Sequence, residues 1–436
     1  MNWIDKLKGK NPALAYNEFL YYLMIRFGLI FALSMQFTIV AYNVFHLTGQ
    51  SKMALGLIGL AEVIPIISCS FFAGYWVDKS EKRGLYRKLI VAYIILGFGL
   101  YACFDTSRTT FISHSSRMAA IYSLIFIGGI FRAFLGPTSF SMLGLVVPKS
   151  LYPNATSWSS LSWQLGSVLG PVVGGLLIVQ TGPANGMFVV FLLEVLLLVP
   201  ISLIGTKPIL MRNSKEPVLK SVGEGLKFVF STPPLLGALC LDMFSVLFGG
   251  AVALLPAIQA EFYPEDGTMF SGAGAFGILR AAPGIGAIAT MILLAFIPLK
   301  KQPGRELFIC VACFGLCIVG FGLSRVFILS WVFLAASGMF DAVSVVIRGT
   351  ILQLVTPDDM RGRVSSVNTM FISSSNELGD FESGLMANWL GTVPAIVVGG
   401  TITLGVVVVT YFRTPSLRRF KFEDYTVLPP EVKSSG

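Results

Sequence analysis

The sequence predicts an all-α membrane protein, twelve transmembrane helices in two pseudo-symmetric six-helix bundles, on three observations. The chain is 54% hydrophobic and only 13% charged, with a mean hydropathy of +0.76. That is about half the charge of a soluble domain, so most of its solvent must be lipid. Twelve apolar stretches reach the roughly 20 residues that a helix needs to cross a hydrocarbon core of about 30 Å. The stretch from Gly129 to Leu176 also matches Gly338 to Leu385, 209 positions downstream and without a gap. Identities fall at Gly129/Gly338, Phe131/Phe340, Ala133/Ala342, Leu143/Leu352, Leu145/Leu354, Val146/Val355, Pro148/Pro357, Ser157/Ser366, Gly170/Gly379, Gly175/Gly384 and Leu176/Leu385. A period of half the chain is far longer than a solenoid repeat, and parallel repeats of this size are typical of membrane transporters.

The first bundle, 1–206, is expected to hold spans near 18–46, 52–76, 87–104, 118–146, 154–180 and 187–205. Its first stretch is longer than a signal-peptide core and lacks a small-residue cleavage site, so it is read as retained. Residues 207–233 are polar and basic and form the linker, where Val218, Val222, Leu226 and Val229 at helical spacing predict a segment lying on the membrane surface. The second bundle, 234–412, is expected to hold spans near 234–260, 270–298, 306–323, 327–355, 364–390 and 393–412, followed by a tail, 413–436.

The net charge of +9 suggests nucleic acid until its distribution is followed. Placing the N terminus in the cytoplasm puts 24 of the 32 Lys and Arg on that side, against Lys52, Arg108, Arg117 and Arg325 outside. That is the positive-inside rule; it predicts both termini in the cytoplasm and accounts for the basic charge without a nucleic-acid partner. Cys69, Cys103, Cys240, Cys310, Cys313 and Cys317 all fall in or at the ends of spans, so no disulfide framework is implied. Cys310, Cys313 and Cys317 share a helix face, but no His or carboxylate joins them in that span, and they read as packing residues. No metal or cofactor is expected.

Charges inside the bilayer are the candidate site, because each costs roughly 2.5–3.5 kcal/mol at mid-helix unless paired or hydrated. Glu62 in span two and Arg280 in span eight become equivalent, with opposite sign, when Gly56/Gly274, Gly59/Gly277 and Pro65/Pro283 are aligned at an offset of 218. The main repeat sets Arg132 in span four against Asp341 in span ten, and an offset of 216, supported by Leu20/Leu236 and Leu23/Leu239, sets Arg26 against Asp242. Glu377 and Asp380 in span eleven lie three residues apart on one helix face. Gln36, Tyr42 and Asn43 in span one are expected to line a cavity with Phe31 and Met35. Arg348 is expected at a cytoplasmic gate or against substrate charge, its alternative being a salt bridge to Asp358 or Asp359. Glu194 in span six stands where a peripheral helix is expected. Static ion pairs that order the bundle are the competing reading of every one of these charges.

Three motifs carry a resemblance. Gly74-Tyr-Trp-Val-Asp78-Lys79, with Lys82, Arg83, Arg87 and Lys88 behind it, lies between spans two and three; Gly129-Ile-Phe-Arg132 lies in span four; Gly166-Ser-Val-Leu-Gly170-Pro171-Val-Val-Gly174-Gly175 lies in span five. These resemble the loop signature, the intramembrane arginine motif and the antiporter motif of the major facilitator superfamily. Leu55-Gly56-Leu57-Ile58-Gly59, Leu241-Asp242, Leu279-Arg280 and Arg361-Gly362-Arg363 resemble its enterobactin-exporter-type branch. The resemblance implies the major facilitator fold, a central cavity and gating roles for Gly74, Asp78, Arg83, Gly170 and Pro171. The loop departs from the signature at Glu81, where a glycine is expected.

The function read from all this is secondary active transport: proton-coupled export of an amphipathic organic molecule, siderophore-like or drug-like, by alternating access in a monomer. The alternatives are an importer of a siderophore-type or nutrient ligand and a non-transporting membrane receptor. An enzyme is disfavoured, since His46 and His114, the only histidines, fall near the outer surface, and no H-E-x-x-H, G-x-S-x-G or Walker motif occurs.

Overall fold

A computed structural model describes residues 12–105, 109, 113–148, 151–207, 218–265, 268, 270–296, 302–357 and 360–421, and the regular structure among them is helical. Span one is Asn17–Leu47, span two Lys52–Lys79, span three Lys82–Phe104 and span four His114–Val146. Spans five and six share Tyr152–Leu196, extended by Leu198–Leu203. The chain reverses at Gly182, whose φ of 82° is open to glycine without a Cβ clash, and brings Gly186 back beside Leu177. Span seven joins Pro233–Phe248 to Leu255–Phe262 through a 3-10 turn, Ala251–Leu254. Spans eight to twelve are Gly272–Phe296, Pro303–Leu323, Phe327–Val355, Arg361–Leu390 and Thr392–Arg413.

Among the described residues ten helical stretches are long and apolar enough to cross a membrane. Twelve crossings follow because Asn154–Leu203 contains two of them. The remaining one, span eleven, has 30 residues but carries Glu377, Asp380 and Glu382, and so is too polar to qualify by hydropathy.

The linker helix, Val218–Ser231, uses its apolar face differently from the expected membrane-surface segment. Leu226, Phe228 and Val229 pack against Leu235, Leu239, Val364 and Val367 of spans seven and eleven. The side chains of Val218 and Val222 lie outside the described residues.

Among the described residues the two halves share an apolar core at one end. On the face away from the linker, one continuous apolar core takes in Met35, Ile39, Leu55 and Ile58 from the first half and Leu255, Phe276, Leu279 and Ala387 from the second. Towards the linker the cores separate: Tyr22, Tyr86, Met142 and Ile201 form one cluster in the first half, while Leu241, Phe308, Ile347 and Val407 form another in the second. Glycines let the helices approach where the halves meet. A Cβ on Gly277 of span eight would stand 2.6 Å from the Pro171 carbonyl oxygen and 3.0 Å from Gly175 Cα in span five. One on Gly59 of span two would stand 2.8 Å from both Asp380 Cβ and the Glu377 carbonyl oxygen in span eleven. Gly170 instead packs within its own half, against Phe31 and Ser34 of span one.

The loop between spans two and three is held by side chains that cap helices. Glu81 accepts from the backbone N–H of Arg83 (3.0 Å) and Gly84 (2.5 Å) as the N-cap of span three, and from that of Lys207 (2.9 Å). Arg83 donates to the carbonyls of Ile201 (3.2 Å) and Ser202 (3.0 Å) at the end of span six, so it is engaged within its own half. Glu18 pairs with the Lys207 ammonium. The start of the linker is thereby tied to the first half, and its helix to the second. Gly74 falls within the span-two helix; the side chain of Asp78 lies outside the described residues, as do Asp358, Asp359 and the side chains of Arg361 and Arg363.

Two outcomes follow. Gly277→Val should wedge spans five and eight apart at an overpacking cost of about 1–3 kcal/mol; a cysteine placed at buried Ala273 should then be alkylated faster, and an unchanged rate would contradict the seal. Burial alone would raise the Glu81 carboxyl, but the N–H groups of Lys207, Gly84 and Arg83, with the Arg83 charge, hold it below its ordinary 4.5. A depressed carboxyl contributes stability above its unfolded value and loses it as pH falls through the folded one. Glu81→Gln should therefore melt lower than the parent near neutral pH by about 1 kcal/mol, with the gap closing in acid; a gap independent of pH would refute the cap.

Candidate functional site

Pro65 and Gly129 bring spans two and four together, since a Cβ on Gly129 would lie 2.7 Å from Pro65 Cγ and 2.8 Å from the Glu62 carbonyl oxygen. Arg132, three residues on and so one turn along the same face, then meets Glu62: its Nη1 donates to Glu62 Oε1. The same Nη1 lies 3.0 Å from Glu377 Oε1 in span eleven. One guanidinium thus serves a carboxylate of its own half and a carboxylate of the other half. Both acids are buried, and the second oxygen of Glu62 has no hydrogen-bond partner among the described residues.

Asp380, one turn beyond Glu377, lies within electrostatic reach of Arg280. The Arg280 guanidinium carbon sits 4.3 Å from the centre of the Phe37 ring in span one, a cation–π contact that also bridges the halves. Gln36 stands next to Phe37, and both Gln36 Oε1 and Asn43 Nδ2 are buried without hydrogen-bond partners among the described residues. Unsatisfied groups of this kind carry a desolvation cost of about 1–3 kcal/mol that a polar ligand would relieve.

A second cluster lies within the second half. Arg348 of span ten forms an ion pair with Asp242 of span seven, both buried, and its Nη2 is 4.0 Å from Asp341 Oδ1. Arg348 is therefore buried beside Asp242, while Asp358 and Asp359, its other expected partners, lie outside the described residues. In the first half Arg26 donates to Ser139 Oγ at 3.0 Å, and Tyr22 bridges Ser139 and Ser159 at 3.0 Å each. Ser139 is the repeat equivalent of Arg348, 209 residues apart, as Arg26 is of Asp242, 216 apart. The loosely supported register of spans one and seven thus reappears as the same helix–helix contact in both halves. Nothing in the sequence around Ser139, Phe37 and Ser344 marks them singly; for Ser139 the repeat carries the signal, since it is the counterpart of Arg348 and faces Arg26, the counterpart of Asp242.

Arg132 and Asp341 stand deep in the bundle yet keep 47% and 45% of their side chains accessible. Accessible charge at that depth lines an internal opening. It continues towards the linker along Gly136 and Phe140 in span four and along Val345 and Gly349 in span ten, which are exposed and equivalent by the repeat. Glu194 differs: it is fully buried against Gly97 of span three, away from this opening, and neither of its oxygens has a hydrogen-bond partner among the described residues. Cys310 and Cys317 are buried in span nine, and Cys313 partly so.

Arg132→Leu should cost about 3–5 kcal/mol in denaturation, because Glu62 and Glu377 lose their counter-ion while still buried. Arg132→Leu combined with Glu62→Gln should recover a measurable part of that loss; a double variant no more stable than the single one would show that the pair is not coupled.

Comparisons with known proteins agree with the helical fold. A family model described as Major Facilitator Superfamily matches residues 22–379. Enterobactin exporter EntS of Escherichia coli O6:K15:H31 (strain 536 / UPEC) is 28% identical over 399 residues, covering 90% of this chain and 88% of that protein. The protein of the same name from Shigella boydii serotype 18 is 27% identical over 398 residues, covering 89% and 88%. Among solved structures, a D-xylose-proton symporter superposes with a TM-score of 0.71 at 12% identity, over 93% of this chain and 100% of that one. A POT family transporter in complex with 5-aminolevulinic acid also gives 0.71 at 12% identity, over 92% and 97%. Those two likenesses speak to the fold alone.

Proposed function

The chain belongs to the Major Facilitator Superfamily, and from that premise we propose that it exports an amphipathic organic molecule, siderophore-like or drug-like, in exchange for protons. The observation that carries the proposal is the Arg132 guanidinium held between Glu62 of its own half and Glu377 of the other. The excess of Lys and Arg on the linker side makes that side cytoplasmic. The conformation is then open to the cytoplasm and shut towards the outside, with both termini and the linker inside and the monomer as the working unit in the bacterial inner membrane.

Alternating access requires spans two and eleven to part at the outer seal. That movement separates Arg132 from Glu377, because the two belong to different halves, while the Arg132–Glu62 pair travels together. A proton on Glu377 removes one charge of the pair, and an acidic group on the substrate competes for Arg132. Either event weakens the lock. The empty, deprotonated carrier stays shut outside, which is the requirement for exchange rather than leak. The names of the curated relatives support a siderophore-type substrate. Gln36 Oε1 and Asn43 Nδ2, buried without hydrogen-bond partners among the described residues, would supply polar contacts, with Phe31 as an apolar one; Met35 is taken up by the core that joins the halves.

Flux into and out of proteoliposomes under an imposed pH gradient tests this, with catecholates, hydroxamates, citrate-type chelators and cationic drugs as the panel. Glu62→Gln, Asp341→Asn and Glu377→Gln should each abolish pH-driven flux in a folded protein. Full pH dependence retained in all three would overturn proton coupling. Ligand-induced stabilisation without flux would point to the receptor, and uptake driven by an inward proton gradient to the importer.

A further inference from the structure

We propose that the second half holds a site for one small, hard monovalent cation, in a pocket between spans seven, nine and ten bounded by Asp242, Ser245, Asp341 and Ser344. The inference rests on the transport reading only in taking this ion as the coupling ion. The pocket itself is a feature of the fold.

The cavity measures about 10 Å³, close to the volume that one water-sized occupant requires. Its polar wall presents two carboxylates from different spans and two hydroxyls, and its other wall, with Val311 and Phe314, is apolar. Ser344 is 2% exposed and lines the cavity, and its Oγ has no hydrogen-bond partner among the described residues. A buried hydroxyl that faces a polar cavity and has no partner among the described residues is available to coordinate an occupant of that cavity. The Ser245 hydroxyl donates to the Leu241 carbonyl at 2.5 Å, so its lone pairs remain to accept or to coordinate.

Charge makes the same selection. The ionisable groups around the pocket are Asp242 from span seven, Asp341 and Arg348 from span ten, and the Cys310 thiol from span nine. Two carboxylates share one guanidinium, and Arg348 is bound to Asp242 while Asp341 is 4.0 Å away. With both acids ionised the cluster carries one uncompensated negative charge inside the bilayer, which a monovalent cation neutralises and a divalent one overshoots. Oxygen donors suit a hard cation of that charge, such as sodium or a hydrated proton. The half-exposed Asp341 opens onto the central cavity, which provides the entry path.

The site shares no residue with the Arg132–Glu62–Glu377 cluster. Cation and substrate then act on one conformational equilibrium from two places, without competing for one carboxylate.

Thermal melting of the purified full chain separates the sources. Sodium chloride is titrated against choline chloride at constant ionic strength and pH, and pH is varied in choline alone. A sodium site gives a saturable rise in melting temperature with sodium. A proton site gives a rise on acidification that sodium does not add to. In either case the increment should disappear in Asp341→Asn and shrink in Ser344→Ala, which loses a hydroxyl without a hydrogen-bond partner among the described residues. The proposal is overturned if neither cation shifts the parent's melting temperature, or if the shift survives unchanged in both variants. A cation shift that persists in Glu377→Gln while flux is lost locates the failure in the transport cycle, and a missing shift with intact pH-driven flux removes this site alone.

Discussion

A guanidinium in the middle of a bilayer needs counter-charge close by, and Arg132 takes its two carboxylates from opposite halves of the molecule. The cost of isolating any of the three charges in a low dielectric makes their proximity a constraint on the helices that carry them. Spans two, four and eleven must converge at that depth, and glycines make this possible: Gly129 against Glu62 and Pro65, and Gly59 against Glu377 and Asp380. The sealed face lies directly beyond this point, where Gly56 and Gly384 let spans two and eleven touch. Charge pairing and backbone approach therefore act at the same contact, which is why the halves share a core there while their cores separate towards the linker.

The internal repeat organises the charges, but its two copies have diverged in sign and in partner. Arg26 against Ser139 in the first half corresponds to Asp242 against Arg348 in the second, so the geometry is kept and the chemistry changed. Glu62 and Arg132 pair within the first half. Their equivalents, Arg280 and Asp341, do not take up the corresponding pair: Arg280 lies over Phe37, and Asp341 lies at the edge of the Arg348 pair. Symmetry supplies matched depth, and its failure supplies the asymmetry on which the proposed exchange of proton and substrate relies.

Capping contacts give the connecting segments a comparable economy. Glu81, where the family's loop signature expects glycine, closes the first turn of span three and also holds the linker backbone at Lys207. The apolar face of the linker helix is spent on spans seven and eleven. Hydrophobic spacing at Leu226 and Val229 was readable from the chain; whether lipid or protein would cover it was not, since both satisfy the same apolar surface.

Sequence by itself determined the helical membrane class and its apolar spans, because hydropathy is a property of short stretches of the chain. It marked Glu62, Arg132, Arg280, Asp341, Glu377 and Asp380 as costly residues needing company. Only the tertiary structure decided which company each keeps: Arg132 with Glu62 and Glu377, Arg348 with Asp242, Arg280 with an aromatic ring, and Glu194 with no hydrogen-bond partner among the described residues. The physical reason is that pairing depends on the rotation of each helix about its axis and on which helices meet across the bundle. Those are set by packing between residues hundreds of positions apart, and no window of sequence contains them.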